Sequence, residues 1–301
     1  MSEELDKINK YELIAQIRNV IEEKKGFAMG KLGFSEQCML GYLPFLRSNP
    51  TKIQIRSYET LLRYHCEISF GVFPTTPQFL NEFATFFSAS VKSTDILGLF
   101  QAEQEKNLIK QFNITAKLID YKNTEPDRSI PNNIANCYLP FFFNKRILYI
   151  SPFADLLKER SQKDIFESVW KNTQKKWFYP ESTAAIEIPY SYITAKSTHD
   201  RFGTSINLYK SICDEMDNHK FDIALIGVGA LGFPLASYIK SKGKIAISLG
   251  GHLQALLGIK GTRWKNDEYW RTNYFNDSWI DMPEKYYPEN KEQLTDNGAY
   301  W

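Results

Sequence analysis

The chain has 301 residues, of which 43% are hydrophobic and 24% charged, and its formal net charge is +2. These values are typical of a globular protein of enzyme size and exclude a disordered or collagen-like chain. A net charge this small argues against a surface built to hold nucleic acid, so we expect no nucleic-acid partner. The four cysteines form no CxxC pair, which favours neither a zinc ribbon nor a disulfide framework and indicates a reducing compartment.

The N-terminus and the longest uncharged run argue against export and against a membrane span. The opening residues MSEELDKINK lack the basic-then-apolar order of a secretory signal. The uncharged run from Ile223 to Ile239 is interrupted by glycines and a proline, so a buried strand, turn and helix explain it better than a transmembrane helix. We therefore expect a cytoplasmic protein, and association with the membrane surface stays open.

The first third of the chain alternates between helical and strand-like patterns. Apolar residues at helical spacing predict a helix over 4–24, followed by a short strand over 27–32. Gly33 and the polar residues behind it can open the next helix, so the segment KLGFSE (31–36) lies at a strand-to-helix turn. Thr76 followed by a proline predicts the start of a helix over 77–92.

The rest of the chain repeats this alternation, most clearly between residues 204 and 259. We predict strands over 95–100, 114–121, 146–151, 221–227 and 244–250, and helices over 103–112, 204–218, 230–243 and 252–259. Such an order predicts an α/β fold with a Rossmann-like, mostly parallel sheet flanked by helices.

The chain shows no internal repeat or low-complexity linker, and we expect a single catalytic domain over 1–301. Within it we distinguish an N-terminal part over 1–130 and a C-terminal nucleotide-binding part over 140–265. An arm over 266–301 is rich in aromatic residues, which are seldom left in water, so we expect it to pack on the body.

A phosphate-binding motif follows the predicted strand 221–227. Gly227, Gly229 and Gly232 form a GxGxxG that ends a strand and opens a helix, the context in which this motif carries meaning. Glycines let the backbone approach a diphosphate, and the helix N-terminus offers free N–H groups. The alternative is a tight turn that needs its glycines for packing alone.

The stretch from Ile223 to Asn266 contains no carboxylate. A dinucleotide site should carry an acid about 20 residues after the glycines, for the ribose hydroxyls, and its absence counts against NAD. The basic residues of this stretch are Lys240, Lys242, Lys244, Lys260, Arg263 and Lys265. The first three are explained by a solvated helix end, so Lys260 and Arg263 are the better candidates for neutralising a leaving diphosphate.

A second glycine turn closes the strand over 244–250. Because open α/β sheets bind ligands beyond the carboxyl ends of their strands, Gly250, Gly251 and His252 are candidate site residues, with Gln254 a weaker one. His252 could contact phosphate or a metal, although a structural hydrogen-bonding role fits it as well.

These segments resemble a family of bacterial glycosyltransferases with the GT-D fold, associated with capsule and surface-polysaccharide assembly. The likeness lies in LIGVGALGFPLASYIKSKGKIAISLGGHLQALLGIKGTRW (225–264), KLGFSE (31–36), GVFPTT (71–76) and the final NGAYW. It implies a sugar nucleotide donor, most simply a UDP-sugar. It also implies a glycan acceptor, lipid-linked forms included, and a position beside the inner-membrane assembly machinery.

The resemblance also implies roles for residues of KLGFSE. The family has an Arg-aromatic-Gly-Asp-Gly-Glu segment there, whose Asp and Glu are associated with a divalent metal. Lys31 matches the Arg, Gly33 the first glycine and Glu36 the Glu, which makes Lys31 and Gly33 candidate donor-binding residues. Phe34 occupies the Asp position and offers no oxygen, which puts a Mg²⁺ or Mn²⁺ site at Glu36 in doubt. Without a metal, Glu36 could serve as a base toward the acceptor.

The sequence therefore predicts a glycosyltransferase with Glu36 and His252 as candidate catalytic residues. Two alternatives remain: an NAD(P)-dependent oxidoreductase, and a nucleotide- or glycan-binding module without catalysis.

Overall fold

The computed structural model describes residues 5–100, 103–126 and 128–301. Its α-helices are α1 (Lys10–Glu22), α2 (Phe34–Arg47), α3 (Lys52–His65), α4 (Pro77–Lys92), α5 (Glu103–Phe112), α6 (Ala154–Arg160), α7 (Lys163–Val169), α8 (Lys196–Phe202), α9 (Ser205–Asp217), α10 (Gly232–Ser241), α11 (His252–Leu256), α12 (Thr262–Lys265), α13 (Glu268–Asn273) and α14 (Thr295–Gly298). Within these residues, no helix combines the length and the apolar character that crossing a membrane requires.

The strands form one large parallel sheet and one small one. They are β1 (Phe27–Lys31), β2 (Ile96–Leu99), β3 (Lys117–Asp120), β4 (Arg146–Ser151), β5 (Ser182–Glu187), β6 (Ile223–Ile226), β7 (Ile245–Ser248), β8 (Ile259–Lys260) and β9 (Ile280–Asp281). The large sheet has seven strands in the order β3-β2-β1-β7-β6-β4-β5, and every neighbouring pair is parallel. The predicted Rossmann-like α/β fold is confirmed, with a wholly parallel sheet where we expected a mostly parallel one.

Helices cover both faces of this sheet. In β6, Ala224 and Ile226 pack in the layer that contains α2, α4 and α10, while Ile223 and Leu225 pack in the layer that contains α1 and α11. Because water reaches neither face, the central strands are almost continuously apolar, as a parallel sheet requires. The pairing of β1 with β7 joins the N-terminal and C-terminal parts of the chain in one sheet.

Several predicted elements match the structure to the residue, among them α4, α5 and β4. The first helix begins later than expected, at Lys10, and residue 4 of that prediction lies outside the described residues. The later start has two causes. The Ile8 N–H donates to the Leu118 carbonyl of β3 at 2.8 Å, and the Asn9 side chain accepts from the N–H groups of Tyr11 and Glu12 as an N-cap.

The C-terminal arm packs on the body of the protein. Trp270, Trp279 and Trp301 are all buried, in the same layer as α1 and α11. The short strand β9 of the arm pairs with β8, and the Trp301 indole N–H donates to the Tyr190 hydroxyl at 2.8 Å. The burial that we expected for the aromatic arm is present.

Candidate functional site

A cleft of about 960 Å³ opens at the carboxyl ends of the parallel strands. Its floor is the crevice between β1 and β7. The chain leaves β1 into α2 on one face of the sheet and leaves β7 into α11 on the other. The place where the connections of two neighbouring strands leave on opposite faces of the sheet is called a topological switch point. The loops diverge there, and open α/β sheets bind their ligands in the crevice between them.

Four charged or titratable side chains meet at this crevice, which we call the Glu125 cluster: Lys31, Glu125, Arg128 and His252. Lys31 Nζ lies 2.5 Å from Glu125 Oε1, and Arg128 Nη1 lies 2.6 Å from Glu125 Oε2. The same Arg128 nitrogen lies 2.7 Å from His252 Nδ1. The strand ends of β1, β3 and β7 thus supply one connected set of charges.

Glu125 is ionised in this cluster. Burial alone would raise the pKa of its carboxyl group, but Lys31, His252 and Arg128 together hold that pKa well below its usual range. Burial lowers the pKa of Lys31, while the attraction of Glu125 opposes that effect. Lys31 Nζ and the Arg128 guanidinium both lie against the Glu125 carboxylate, so the cluster places a buried anion between two basic groups.

His252 is neutral at physiological pH. Burial and the neighbouring Lys31 lower its pKa to about 4, against the smaller opposing effect of Glu125. Its Nδ1 can accept from Arg128 or donate to Glu125 Oε2, 3.0 Å away, but a neutral ring does only one of these. A neutral ring supplies no positive charge to a phosphate. It remains a hydrogen-bonding group on the cleft wall.

Glu36 lines the same cleft from the first turn of α2. Its carboxylate folds back over Gly33, where a Cβ would lie 2.6 Å from Glu36 Oε2, and it accepts from the backbone N–H groups of Gly33 and Glu36. Burial raises its pKa to about 7, although these hydrogen bonds and Lys31 act in the opposite direction. A larger residue at position 33 would therefore have to displace the Glu36 carboxylate.

The residues present do not fit a divalent metal. Both Glu125 oxygens already contact cations, and Glu36 is engaged by the N-terminus of α2. Phe34 is 60% exposed, and its ring packs edge-on against His65 at 5.0 Å. Among the described residues, no group of three or more His, Cys, Asp or Glu side chains is arranged to hold a metal ion. A hard cation needs several free oxygen ligands, which this site lacks.

The glycines of the turn after β6 are explained by protein contacts. A Cβ on Gly229 would lie 2.5 Å from the Phe70 carbonyl oxygen, which also accepts from the Ala230 N–H at 2.8 Å. A Cβ on Gly227 would lie 3.2 Å from the Gly250 carbonyl oxygen, and one on Gly232 would lie 2.8 Å from the Ser248 hydroxyl. The turn lines the cleft, but packing accounts for its glycines without a ligand.

Most of the basic residues that we singled out after Ile223 lie away from the cleft. Lys240 Nζ lies 2.7 Å from Asp95 Oδ1, and Lys242 pairs with Asp217, both at the amino edge of the sheet. Lys260 is not on the cleft wall, because it belongs to β8 and its Nζ lies 5.6 Å from the centroid of the Phe275 ring. The structure therefore does not bring Lys260 together with the other candidate residues of this cleft.

Arg263 is on the rim of the cleft, with its guanidinium 5.0 Å from the centroid of the Tyr300 ring. The residues after β7 also contact the end of the arm. A Cβ on Gly251 would lie 2.1 Å from the Tyr300 ring, and Gln254 Nε2 donates to the Tyr300 carbonyl at 3.0 Å. Gly250 has a φ of +57°, a turn conformation that favours glycine.

Glu125 and Arg128, which connect the members of the cluster, were not predicted from the sequence. Both follow β3 within NTEPDRS (123–129), and the rule that ligands bind beyond the carboxyl ends of parallel strands could have indicated this loop. Two aromatic surfaces were not predicted either. The Phe100 and Tyr121 rings, which line the cleft, stack with their centroids 3.9 Å apart, and the Arg128 guanidinium lies 4.7 Å from the centroid of the Trp270 ring, which also lines it.

The cleft thus combines cations, a carboxylate with a raised pKa and aromatic rings. No family model, curated protein or solved structure matches this chain. Functional inference therefore depends on the geometry of the cleft.

Proposed function

We propose that this chain is a glycosyltransferase that moves a sugar from a nucleotide diphosphate donor, most simply a UDP-sugar, to a glycan hydroxyl. The observation that carries the proposal is the pair of cations, Lys31 and Arg128, held on Glu125 at the switch-point crevice. An ammonium and a planar guanidinium suit the oxygens of a diphosphate, and the guanidinium can bind two of them at once. Phe100 and Tyr121 offer a stacking face for the base or the sugar.

In the reaction, an oxygen of the acceptor forms a bond to the anomeric carbon, and the bond from that carbon to the donor phosphate breaks. The electron pair of the broken bond stays on the leaving diphosphate. Lys31 and Arg128 oppose the negative charge that develops there, and Arg263 adds charge at the rim. Glu125 keeps both cations in position before the donor arrives, so little reorganisation is needed during the reaction.

Glu36 is the candidate base in this proposal. The proton of the acceptor hydroxyl passes to its carboxylate as the new bond forms. A base works best when its pKa is close to the working pH, and burial raises the pKa of Glu36 to about 7. Neutral His252, next to Arg128, then supplies a hydrogen bond in the donor site and no charge.

The same cleft supports an NAD(P) enzyme less well. The loop after β7, which should carry an acid for the ribose, consists of Leu249 to His252 and has no carboxylate. Glu125, the nearest acid described here, already contacts Lys31 and Arg128. A ribose hydroxyl would have to compete with two cations for that carboxylate.

The second candidate is a nucleotide- or glycan-binding module, and the mismatch with a metal site favours it. If the chain descends from metal-dependent enzymes of the GT-D type, Phe34 would mark a site that kept binding and lost catalysis. The resemblance also suggests an acceptor on the path to capsule or O-antigen, free or lipid-linked, and activity on the cytoplasmic side of the membrane.

The test is release of nucleoside diphosphate from UDP-, GDP- and ADP-sugars, with and without a panel of glycan acceptors. We expect acceptor-dependent release that Glu36→Gln lowers roughly 10²- to 10⁴-fold, the usual contribution of a general base. Glu82→Gln is the control, because Glu82 is exposed on α4. Nucleotide binding without release from any donor would favour the binding module, and NADH binding with no nucleotide-sugar binding would favour the oxidoreductase.

A further inference from the structure

We propose that this site holds the donor diphosphate without a divalent metal, and that Lys31 and Arg128 occupy the role a metal would otherwise fill. The inference rests on the proposed function and deepens it. Phe34 accounts only for the loss of one expected metal ligand, whereas Lys31 and Arg128 would neutralise the charge of the donor diphosphate.

The acids of the site are already engaged by groups of this chain. Glu125 contacts Lys31 with one oxygen and Arg128 with the other. Glu36 accepts from backbone N–H groups at the start of α2, and Asp267, the third described acid that lines the cleft, accepts from the Tyr269 and Trp270 N–H groups at the start of α13. A metal ion would have to displace an ammonium, a guanidinium or a helix N-terminus to gain a carboxylate, and each of these offers the carboxylate a charge-assisted or dipole-assisted hydrogen bond.

The order of burial indicates where a phosphate would approach. The Glu125 side chain is 3% exposed, whereas those of Lys31 and Arg128 are 13% and 25% exposed. All three residues line the cleft. The carboxylate therefore lies behind the cations, and a diphosphate in the cleft would meet the cations first.

The surrounding charges also disfavour a divalent cation. A metal in the crevice would lie close to two fixed positive charges, and Coulomb repulsion is strong where little water screens it. Arg128 is held from both sides, by Glu125 and His252 at one nitrogen and by the Trp270 ring at 4.7 Å. It therefore keeps its place in the crevice and cannot swing aside easily for a metal.

The experiment measures UDP binding by titration calorimetry to the whole chain, once with a chelator and once with Mn²⁺ or Mg²⁺. We expect the same Kd under both conditions. Lys31→Met and Arg128→Met should each weaken binding about tenfold or more in the presence of chelator, because each removes a charged hydrogen-bond donor. Arg128→Lys keeps the charge but loses the planar fork, so it should weaken binding less than Arg128→Met does, and Lys242→Met is the surface control.

The outcomes separate this inference from the function on which it rests. Wild-type binding that requires the metal, or that tightens tenfold with it, would overturn the inference and leave the glycosyltransferase proposal intact. No binding of UDP, GDP or ADP under either condition would overturn the proposed function as well. If the methionine variants do not fold, the Kd of the wild type with and without chelator still shows whether UDP binding depends on a divalent metal.

Discussion

The two edges of the central sheet both carry lysines paired with carboxylates, yet they differ in what surrounds the pairs. At the amino edge, Lys240 pairs with Asp95 and Lys242 with Asp217, and their side chains are between 29% and 50% exposed. At the carboxyl edge, Lys31 pairs with a carboxylate that is 3% exposed and lines a deep cleft. The ion pair at the carboxyl edge is thus a candidate binding site because it is buried and lines a cavity. The number of lysines in a stretch of sequence does not indicate whether they are buried or line a cavity.

The largest effect is expected when the buried anion at the carboxyl edge is removed. Glu125→Gln leaves Lys31 and Arg128 together without a counter-charge, so we expect a loss of about 3–5 kcal/mol in the free energy of unfolding. Asp222→Asn is the matched change at the amino edge, where the Arg146 and Asp222 side chains of the pair are 35% and 34% exposed. It should cost less than about 1 kcal/mol because solvent screens the pair. Urea denaturation of both variants measures the difference, and equal losses would remove the distinction between the two edges.

A smaller effect concerns pH. The folded protein binds the Glu36 proton more tightly than the unfolded chain, since burial raises its pKa from 4.5 to about 7. The stabilising contribution is present below pH 4.5 and is lost as pH rises through 7, by at most about 3 kcal/mol. Glu36→Gln should therefore be more stable than wild type at pH 8 and not at pH 5, as thermal melts at both values would measure.

Under the proposed function, the rate of glycosyl transfer should follow the same titration in the opposite direction. A base must be deprotonated, so kcat/KM should rise with pH through an apparent pKa close to 7. Glu36→Gln should flatten this rise. If kcat/KM of Glu36→Gln still rises with pH as in the wild type, the titrating group is not Glu36.

The turn after β6 gives a comparison of two glycines in one motif. Gly229→Ala drives a Cβ against the Phe70 backbone carbonyl, which cannot move aside easily, and should cost about 1–3 kcal/mol. Gly232→Ala meets the Ser248 hydroxyl, a side-chain group that can rotate, and should cost less. Thermal melts with and without UDP measure both effects. If these glycines served a phosphate instead, each variant would lose affinity while keeping its stability.

The smallest effect is expected at the exposed ion pair between Lys242 and Asp217 at the amino edge of the sheet. Lys242 and Asp217 are about half exposed, so Lys242→Met should leave both the melting temperature and UDP affinity unchanged within error. A loss of affinity in this variant would show that long-range charge, rather than the cleft, attracts the nucleotide.

The sequence predicted the fold well because the signals for it are local. Apolar runs bounded by caps identify α4 and β4 to the residue, and the order of elements identifies a parallel sheet. The edge strand β5 was missed because Ser182–Glu187 is only partly buried and lacks a continuous apolar run. The helix α3 was missed because, apart from Leu62, its residues are exposed or only partly buried.

The site was harder to predict because its members are far apart in the sequence. Lys31 and His252 were found, but Glu125 and Arg128 follow β3 in a loop without periodicity. Discounting the basic residues 240–244 agrees with the structure, since the helix of a βαβ unit returns the chain to the amino edge of the sheet and Lys240 and Lys242 form ion pairs there. The glycine motif does lie at the carboxyl edge of the sheet, where the cleft is, although contacts with the protein explain its glycines.

The most direct test of the central claim compares two ion-paired lysines at opposite edges of the sheet. UDP affinity is measured by calorimetry for folded Lys31→Met and Lys240→Met, whose Nζ atoms lie 2.5 Å from Glu125 and 2.7 Å from Asp95 in the wild type. We predict that the Lys31 variant binds about tenfold more weakly or worse and that the Lys240 variant binds as wild type does. Equal affinities in the two variants would contradict a diphosphate site at the β1–β7 crevice.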